Sequence, residues 1–294
     1  MKRKLEISEL IFKIISYTLL TIFALCCLYP FLYAISASIS GRHAVEYSEV
    51  VLLPIDIQFE AFSRMFNDNM FWNAYTNTLF LTFYGTIWAL GFSLLGAYAL
   101  SKKRLLFRKG FNFFLVFTMW FSAGLVPQYL NYLDTRRVFN FFGVTDDKWL
   151  VVIAMGMAAM NIILLRNSFE GVPSEIEEAA IVDGATEMQI LWRVYVPMSK
   201  SIIATVALFF GISRWNGYFW ARQMIANTNE QPLQVFIRRK LEEFTNPEMI
   251  WNETYASDSV IYALIVCSIV PILIIYPFIQ KYFAKGVNVG GVKE

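Results

Sequence analysis

The sequence predicts an all-α fold in which six transmembrane helices cross a membrane as one domain, residues 1–294. Hydrophobic residues make up 57% and charged residues 16% of the chain, and the mean hydropathy is +0.48. Soluble domains usually carry about 25% charged residues. The deficit of charge falls in long apolar runs, each of which is long enough for a membrane span. The runs cover residues 10–35, 72–100, 111–132, 149–166, 201–221 and 259–279.

The first run, residues 10–35, follows the basic residues Lys2, Arg3 and Lys4. A signal peptide is the competing interpretation, but its apolar core would be only about 7–15 residues long. The run is longer, and no clear small-residue cleavage site follows its early part. We therefore expect a retained first span whose amino terminus lies in the cytoplasm, because basic residues favour that side.

The next segment, up to Met70, is polar and is expected to lie outside with some local structure, including helical spacing of aromatic residues from Phe59 to Phe66. The second span, 72–100, contains glycines that allow helices to pack closely in a bilayer. The basic cluster from Lys102 to Lys109 follows it directly. Short basic loops remain in the cytoplasm, so this cluster fixes the orientation of the second span. Binding to anionic lipid is the minor alternative for the cluster.

The remaining runs alternate across the membrane from that fixed point. Gly124 and Pro127 predict a kink or break near the outer end of the third span. The chain then returns to the cytoplasm after the fourth span and again after the sixth. The cytoplasmic tail, residues 280–294, carries further lysines. Six spans with both termini in the cytoplasm form a self-consistent topology.

The composition argues against several classes of function. The net charge is only +2, so nothing suggests nucleic-acid binding. Cys26, Cys27 and Cys267 lie inside apolar runs and His43 is the one histidine, so we expect no disulfide framework, metal site or catalytic residue. An integral-membrane enzyme would need a cluster of such groups within the membrane. The chain also has no phosphate-binding glycine–lysine motif, so we expect it to hold no cofactor itself.

A charged segment, residues 169–199, lies between the fourth and fifth runs. Glutamate and alanine residues favour a helix from Glu175 to Val182, and Gly184 interrupts it. A second short helix is expected from Thr186 to Tyr195, with Pro197 ending it. The sequence thus predicts a compact protruding knob bent at a glycine, on which Ala179 and Ala180 leave the surface free of bulky side chains.

The pattern of this loop resembles the EAA motif of ABC importer permeases. The residues that carry the resemblance are Glu178, Ala179, Ala180, Asp183, Gly184 and Pro197, although valines stand where the family more often has isoleucine and leucine before the proline. The resemblance implies that these residues dock into a groove of a separate ATPase subunit, and residues 169–199 are therefore called the coupling loop below. It also suggests that Glu178 caps and orients the helix and that Asp183 shapes the turn. The competing interpretation is an ordinary amphipathic helix that only tethers two spans.

The whole chain is similar to the MalG-type permeases of carbohydrate importers. Trp215, Asn216 and the aromatic residues that follow resemble a pattern of sugar permeases, and the segment from Tyr276 to Gly290 closely resembles the LplC-like branch, which includes alginate- and pectin-oligosaccharide permeases. The resemblance implies a type I ABC importer permease fold in a bacterial cytoplasmic membrane. The expected partners are a second homologous permease in a heterodimer, two copies of a cytoplasmic ATPase that binds ATP and Mg²⁺, an extracytoplasmic solute-binding protein, an oligosaccharide substrate and membrane lipid.

Two alternatives remain open at this point. The coupling loop alone also suits an importer of a non-sugar solute, such as an amino acid or phosphate. In the tail, Gly286 to Gly291 is a second candidate contact with the ATPase, although its glycines suit simple disorder equally well.

The fifth span contains the candidates for the substrate path: Arg214, Trp215, Asn216 and Tyr218. Arg214 lies about fourteen residues into this span, or ~21 Å by helical rise. A charge within the membrane is costly and usually faces a partner or a wet cavity. The functional interpretation is a contact with sugar hydroxyls or carboxylates. The alternatives are a hydrogen bond between helices and extension of the side chain toward the outer headgroups.

Overall fold

A computed structural model describes residues 7–244 and 257–286, and within them it contains helices and no strand. The helices are α1 (Ile7–Ser38), α2 (Arg42–Glu46), α3 (Glu60–Asn67), α4 (Asn69–Ser101), α5 (Arg108–Trp120), α6 (Leu125–Phe141), α7 (Asp147–Ala154), α8 (Ala159–Glu170), α9 (Ser174–Val182), α10 (Glu187–Ile190), α11 (Val196–Met198), α12 (Lys200–Trp215), α13 (Phe219–Met224), α14 (Leu233–Phe244) and α15 (Ser257–Gly286). A π-helical turn, Leu191–Tyr195, joins α10 to α11.

Three of the described helices are long and apolar enough to cross a membrane alone: α1, α4 and the Asp258–Pro277 part of α15. Three bent pairs meet the same requirement only when the two members of each pair are counted together. These pairs are α5 with α6, α7 with α8, and the Glu187–Met198 segment with α12. The described helices therefore provide up to six crossings, and the exact division into six spans stays a prediction.

The break expected near Gly124 and Pro127 is confirmed, because α5 ends at Trp120 and α6 starts at Leu125 at an angle of 115°. However, α6 continues to Phe141, beyond the predicted end of the third run. An ion pair between Asp134 and Arg137, three residues apart, lies within this continuation. These charged residues follow the predicted end of the third run at residue 132, and they extend a helix.

Two other runs are interrupted at positions that the sequence analysis did not predict. The fourth run breaks between α7 and α8, which are bent by 55°, and Gly156 in this break has φ +55°. The fifth run ends as a helix at Trp215 and resumes at Phe219. A Cβ on Gly217 would lie 3.0 Å from the Arg214 carbonyl oxygen and 3.3 Å from Met155 Cε. Glycine therefore permits the close approach of chain segments at this break.

The contacts divide the chain into two compact units, Met1–Phe71 with Ile237–Pro271 and Trp72–Phe236 with Ile272–Glu294. In the first unit, Ala37, Ala44, Val45 and Val50 form a small core. The predicted helical spacing near Phe59 is realised as α3. Most of α1 is apolar and exposed, a surface that suits lipid or another membrane helix.

The second unit holds both candidate sites, and its described residues form two apolar cores. One core brings together α4, α8, α12 and the base of the coupling loop, through residues that include Ala97, Leu165, Ile190 and Val206. The other core lies around Leu150 to Val152 of α7 and includes Tyr132 of α6 and Met224 of α13. The coupling loop is thus anchored in the same core as the apolar helices that precede and follow it.

The predicted tail begins at residue 280, but α15 continues as a helix to Gly286. Residues 287–294 lie outside the described residues, so the expected ATPase contact from Gly286 to Gly291 stays a prediction.

Thr78 of α4 holds the segment that leads into α14. Its buried Oγ1 accepts a hydrogen bond from the Leu233 N–H at 2.7 Å and donates to the Ala74 carbonyl at 2.9 Å. Thr78→Val keeps the side-chain shape but leaves a buried N–H without its acceptor. We expect a loss of about 1–3 kcal/mol of stability. Thermal unfolding of the purified protein in detergent would show a melting temperature lowered by roughly 2–8 °C.

Thr118→Val is the matched control for this prediction. Thr118 is exposed, and its hydroxyl bonds only to the Leu115 carbonyl within α5. The control should unfold at the temperature of the unsubstituted protein. Equal melting temperatures for both variants would contradict the anchoring role of Thr78.

Candidate functional site

The coupling loop forms the bent knob that the sequence predicts. Helix α9 ends at Val182, and Gly184 follows with φ +77°, a left-handed conformation that side chains resist. The Ala185 N–H bonds to the Ala180 carbonyl and the Gly184 N–H to the Ile181 carbonyl, both at 3.0 Å. These two hydrogen bonds form a Schellman motif, which satisfies the last carbonyls of α9. The glycine therefore sets the direction in which the chain leaves the helix.

A capping box starts the second part of the knob. The Thr186 hydroxyl accepts a hydrogen bond from the Gln189 N–H, and the Gln189 side chain accepts one from the Thr186 N–H. The two reciprocal bonds satisfy backbone donors at the start of α10. Together with the Schellman motif, they define the turn between α9 and α10 by local hydrogen bonds on both sides.

The end of the knob differs from the prediction for Pro197. The helical path does not stop there, because α11 runs through Pro197 to Met198 and the chain turns by 90° before α12. Pro197 lies in the first turn of α11, where a missing N–H is tolerated. In the wider π-helical turn before it, the Val196 N–H donates a hydrogen bond to the Leu191 carbonyl. The break is therefore at Ser199, two residues later.

The predicted contact residues divide between surface and interior. Glu178, Ala179, Asp183 and Gly184 are exposed, whereas Ala180 is half-buried and packs against the core. Only Ala179 of the alanine pair therefore leaves the surface bare.

Glu178 does not have the capping role expected of it, because it lies inside α9 rather than at its start. Pro173 precedes the first residue of α9, and no side chain caps this helix. Asp183 occupies the C-cap position, where its N–H bonds to the Ala179 carbonyl. Asp183 therefore lies in the turn that it was expected to shape, and the hydrogen bond there is made by its backbone N–H.

An apolar tip, which the sequence analysis missed, lies on the same surface. Ile181, Val182 and Met188 are exposed, and Val182 reaches 86% exposure. Exposed aliphatic side chains next to a turn are typical of a surface that another protein covers. The alternation of acidic and apolar residues around Gly184 was the available signal for it.

Two sets of polar contacts fasten the knob to the end of α4. We call Lys102, Glu177 and Tyr195 the inner clasp. Lys102 Nζ lies 2.7 Å from Glu177 Oε1 and donates to Tyr195 Oη at 3.0 Å, and the Tyr195 hydroxyl donates to Glu177 Oε2. The Lys102 ammonium also lies 4.1 Å from the ring centres of both Tyr98 and Tyr195. A basic residue that the sequence analysis assigned only to topology is thus buried between aromatic rings.

The outer clasp consists of Arg104, Glu187 and the Tyr98 hydroxyl. Arg104 forms an ion pair with Glu187, and Tyr98 donates a hydrogen bond to Glu187 Oε2 at 2.7 Å. Unlike Lys102, which is 8% exposed, both Arg104 and Glu187 have exposed side chains. Surface ion pairs of this kind contribute little to stability.

The electrostatics of the inner clasp follow from its burial. Burial raises the pKa of Glu177, but hydrogen bonds from Lys102 and Tyr195 and the nearby positive charges outweigh it, so the pKa lies below its ordinary value. Burial lowers the pKa of Lys102, and Glu177 opposes that effect. Burial and the hydrogen bond to Glu177 both raise the pKa of Tyr195. The hydroxyl therefore stays protonated and remains a donor to the carboxylate.

A cavity of about 660 Å³ adjoins the clasp, between the basic cluster and α9. Its wall includes Lys103 and Arg108 on one side and Glu170 and Glu178 on the other. Arg108 also pairs with Glu170. The basic cluster therefore interacts with the acidic coupling loop through several residues.

The candidate substrate path lies elsewhere in the second unit. Arg214 is 5% exposed, its Nη2 donates to the Gly156 carbonyl at 2.6 Å, and its Nε has no hydrogen-bond partner among the described residues. It lines a cavity of about 350 Å³ together with Met157, Asn161 and Phe209. Extension of Arg214 toward the outer headgroups does not occur, because the side chain is buried against α4. A Cβ on Gly85 would lie only 3.1 Å from its Cδ.

The other three candidates do not line this cavity. Trp215 is buried, and its ring packs edge-on against Tyr75 at 6.0 Å. Asn216 is exposed at the end of α12, and Tyr218 packs against the second core. The sequence placed all four in one span, but the break after Trp215 sends their side chains to different surroundings.

Known proteins resemble this chain over most of its length. Residues 70–289 match the family described as the binding-protein-dependent transport system inner membrane component. The polygalacturonan/rhamnogalacturonan transport system permease protein YtcP of Bacillus subtilis (strain 168) is 32% identical over 288 residues, which cover 96% of this chain and 98% of that protein. Protein LplC of the same organism is 34% identical, with 90% of this chain and 88% of that protein covered.

A solved structure supports the fold over nearly the full length. One chain from the crystal structure of a bacterial ABC transporter involved in the import of the acidic polysaccharide alginate is 43% identical, with a TM-score of 0.85. The match covers 96% of this chain and 100% of that chain. The resemblance to the LplC-like branch and to the type I ABC importer permease fold is therefore confirmed. This chain belongs to the family of binding-protein-dependent transport system inner membrane components.

Proposed function

We propose that this chain is the permease subunit of an ATP-driven importer of oligosaccharides, acidic ones included. One observation carries the proposal: the coupling loop presents a turn with an apolar tip while its base is anchored in the core of the membrane helices. The names of the relatives support the substrate class, since two of the matched proteins are described by their transport of polygalacturonan or alginate.

The chain works with partners that do the ATP chemistry. A second homologous permease forms the other half of the pore, and two copies of a cytoplasmic ATPase bind ATP and Mg²⁺. An extracytoplasmic solute-binding protein delivers the sugar. The permease itself does no covalent chemistry, and it lies in a bacterial cytoplasmic membrane with both termini in the cytoplasm.

The geometry suggests how motion passes from the ATPase to the membrane. Ala179, Val182 and Met188 lie on the exposed part of the knob and are available to enter a groove of the ATPase. ATP binding closes the ATPase dimer and brings the two grooves together. The knob moves with its groove as a rigid body and carries the helices joined to it, so the cavity between the permeases opens alternately to each side.

Arg214 is the residue that we assign to the sugar path. Its one described side-chain hydrogen bond goes to a backbone carbonyl, and it pairs with no carboxylate among the described residues. A buried positive charge that lines a cavity favours an anionic or strongly polar ligand. The planar guanidinium is suited to the carboxylate of a uronate. Trp215, Asn216 and Tyr218 remain candidates, but their surroundings support packing roles.

The first prediction concerns orientation in the membrane. In a background without native cysteines, Lys103→Cys should resist an impermeant thiol reagent applied to sealed cells, whereas Asn229→Cys should react. Both positions are exposed on the chain, so burial does not explain the difference. In permeabilised cells both variants should react, which is the control. Labelling of Lys103→Cys in sealed cells would reverse the proposed topology.

A second prediction concerns the bend of the knob. Gly184→Val places a branched side chain at φ +77° and should cost about 1–3 kcal/mol of local strain. The assembled complex should then lose its ATPase subunits or hydrolyse ATP without sugar uptake. Co-purification of the ATPase, ATP hydrolysis and uptake are measured on one reconstituted preparation. Wild-type values for all three would rule out a coupling role for this turn.

Gly184→Asn is the matched control, because asparagine tolerates a left-handed conformation better than other residues with a side chain. A Cβ at this position would meet no atom of this chain within 4 Å. If the glycine is needed only for its backbone conformation, Gly184→Asn should keep most of the uptake. Failure of both variants would show that the ATPase touches the bare backbone.

A third prediction concerns the cavity at Arg214. Removing a hydrogen bond to a charged ligand group costs about 1.5–3 kcal/mol. Arg214→Ala should therefore lower the uptake of an acidic oligosaccharide roughly 10- to 100-fold while the complex still assembles. Arg214→Gln keeps an N–H donor for the Gly156 carbonyl but has no charge. It should transport a neutral oligosaccharide better than an acidic one.

Arg137→Ala is the control, since Arg137 is exposed and pairs with Asp134 on the surface of α6. It should leave uptake unchanged. Normal uptake of acidic sugar by assembled Arg214→Ala would leave Arg214 with only its hydrogen bond between chain segments.

A further inference from the structure

The inner clasp links two parts of the chain that are far apart in sequence. The hydrogen bond from Lys102 to Tyr195 spans 93 residues. The peptide chain itself joins the coupling loop to α8 and α12, but it does not join the loop to α4. The loop reaches α4 directly only through side chains, so motion that the loop gives directly to α4 passes through those contacts.

Apolar contacts alone define this link poorly. Ala97 and Tyr98 of α4 lie in the same core as Ile190 and Leu191 of the coupling loop. Hydrophobic contacts are non-directional, so they hold the surfaces together without fixing one position of the loop along α4. The polar contacts have specific distances and directions and therefore define that position.

The Lys102 ammonium is held on several sides at once. The ammonium forms an ion pair with Glu177, donates a hydrogen bond to the Tyr195 hydroxyl and lies over the rings of Tyr98 and Tyr195. Tyr195 also donates to Glu177, which closes a triangle of interactions. A buried charge whose neighbours are all paired is costly to disturb, because breaking one pair leaves another charge without a partner. The triangle is therefore a stiff connection.

Helix α4 then leads from the clasp to the cavity at Arg214. Gly85, which packs against the Arg214 side chain, lies sixteen residues before Ser101 on the same helix, or ~24 Å by helical rise. The part of α4 between these two positions is an unbroken helix. A displacement at the clasp therefore reaches the Arg214 side chain, which lines the cavity, through one continuous helix.

We infer that Lys102 is a positioning residue through which the coupling loop moves α4 during transport. The inference rests on the proposed function of the loop and adds a specific path to it. The inner clasp carries this motion, and the exposed outer clasp adds little to it. Without the ammonium, the ATPase should still dock on the knob, but ATP hydrolysis should move α4 less effectively.

The experiment uses the full importer complex, reconstituted in vesicles with its ATPase and solute-binding protein. Uptake of labelled oligosaccharide and ATP hydrolysis are measured on the same vesicles, and their ratio is the readout. Lys102→Met retains the apolar stem and removes the charge. We expect the ATPase to co-purify as in wild type, ATP hydrolysis to continue and the sugar taken up per ATP to fall at least fivefold.

The matched control removes the outer charge in the same way. Arg104→Met makes the same change at an exposed position, where the arginine approaches Glu177 Oε1 only to 3.9 Å, compared with 2.7 Å for Lys102. It should keep the wild-type ratio within about twofold, because surface ion pairs contribute little. Tyr195→Phe keeps the ring beside Lys102 but removes the hydroxyl that binds Glu177. It should give an intermediate ratio, and it covers the case in which Lys102→Met fails to assemble.

The outcomes separate the inference from the function on which it rests. Absence of uptake by the wild-type complex would refute the proposed function itself. A wild-type ratio in assembled Lys102→Met, or in Tyr195→Phe where the methionine variant does not assemble, would overturn the role of the clasp alone. A purely structural role would lower uptake and hydrolysis in proportion and leave their ratio unchanged, which would also overturn it. An equal fall in the ratio for Arg104→Met would contradict the distinction between the two clasps.

Discussion

Backbone polar groups released at helix breaks need hydrogen-bond partners from within the protein, because lipid offers none. This constraint governs the second unit of the chain. At the α7–α8 break, the Gly156 carbonyl accepts a hydrogen bond from Arg214, and the Ala154 carbonyl accepts one from the Tyr132 hydroxyl. At the end of α13, the Met224 carbonyl accepts a hydrogen bond from Arg136. The buried polar side chains around the breaks are thus required by the interrupted helices.

Satisfying these breaks also places a positive charge beside a cavity. Arg214 uses one of its nitrogens on Gly156, yet its Nε keeps no partner among the described residues. A side chain that stabilises a broken helix therefore also lines a cavity with a positive charge. Packing and substrate recognition are often treated as alternatives for a membrane arginine, but here one residue has the geometry for both.

The coupling loop is rich in charged residues and is nevertheless anchored among apolar helices. Ile190 and Leu191 at the base of the loop lie in the apolar core. Two of its acidic residues form ion pairs with the basic cluster after α4. The basic cluster on which the expected orientation rests also holds the loop. One short segment therefore bears on both the predicted topology and the attachment of the loop.

The sequence alone determined the helical class, the bend at Gly184, the break near Gly124 and the family resemblance. Each depends on composition or on residues close together in the chain, where backbone preferences act locally. Only the tertiary structure placed Lys102 between Tyr98 and Tyr195 and paired it with Glu177, since Lys102 and its contacts lie up to 93 residues apart in the sequence. It alone separated Arg214 from Trp215, Asn216 and Tyr218, because one helix break redirects side chains that a continuous span would keep together. Local sequence sets where a helix bends, but burial and long-range pairing decide which side chains meet.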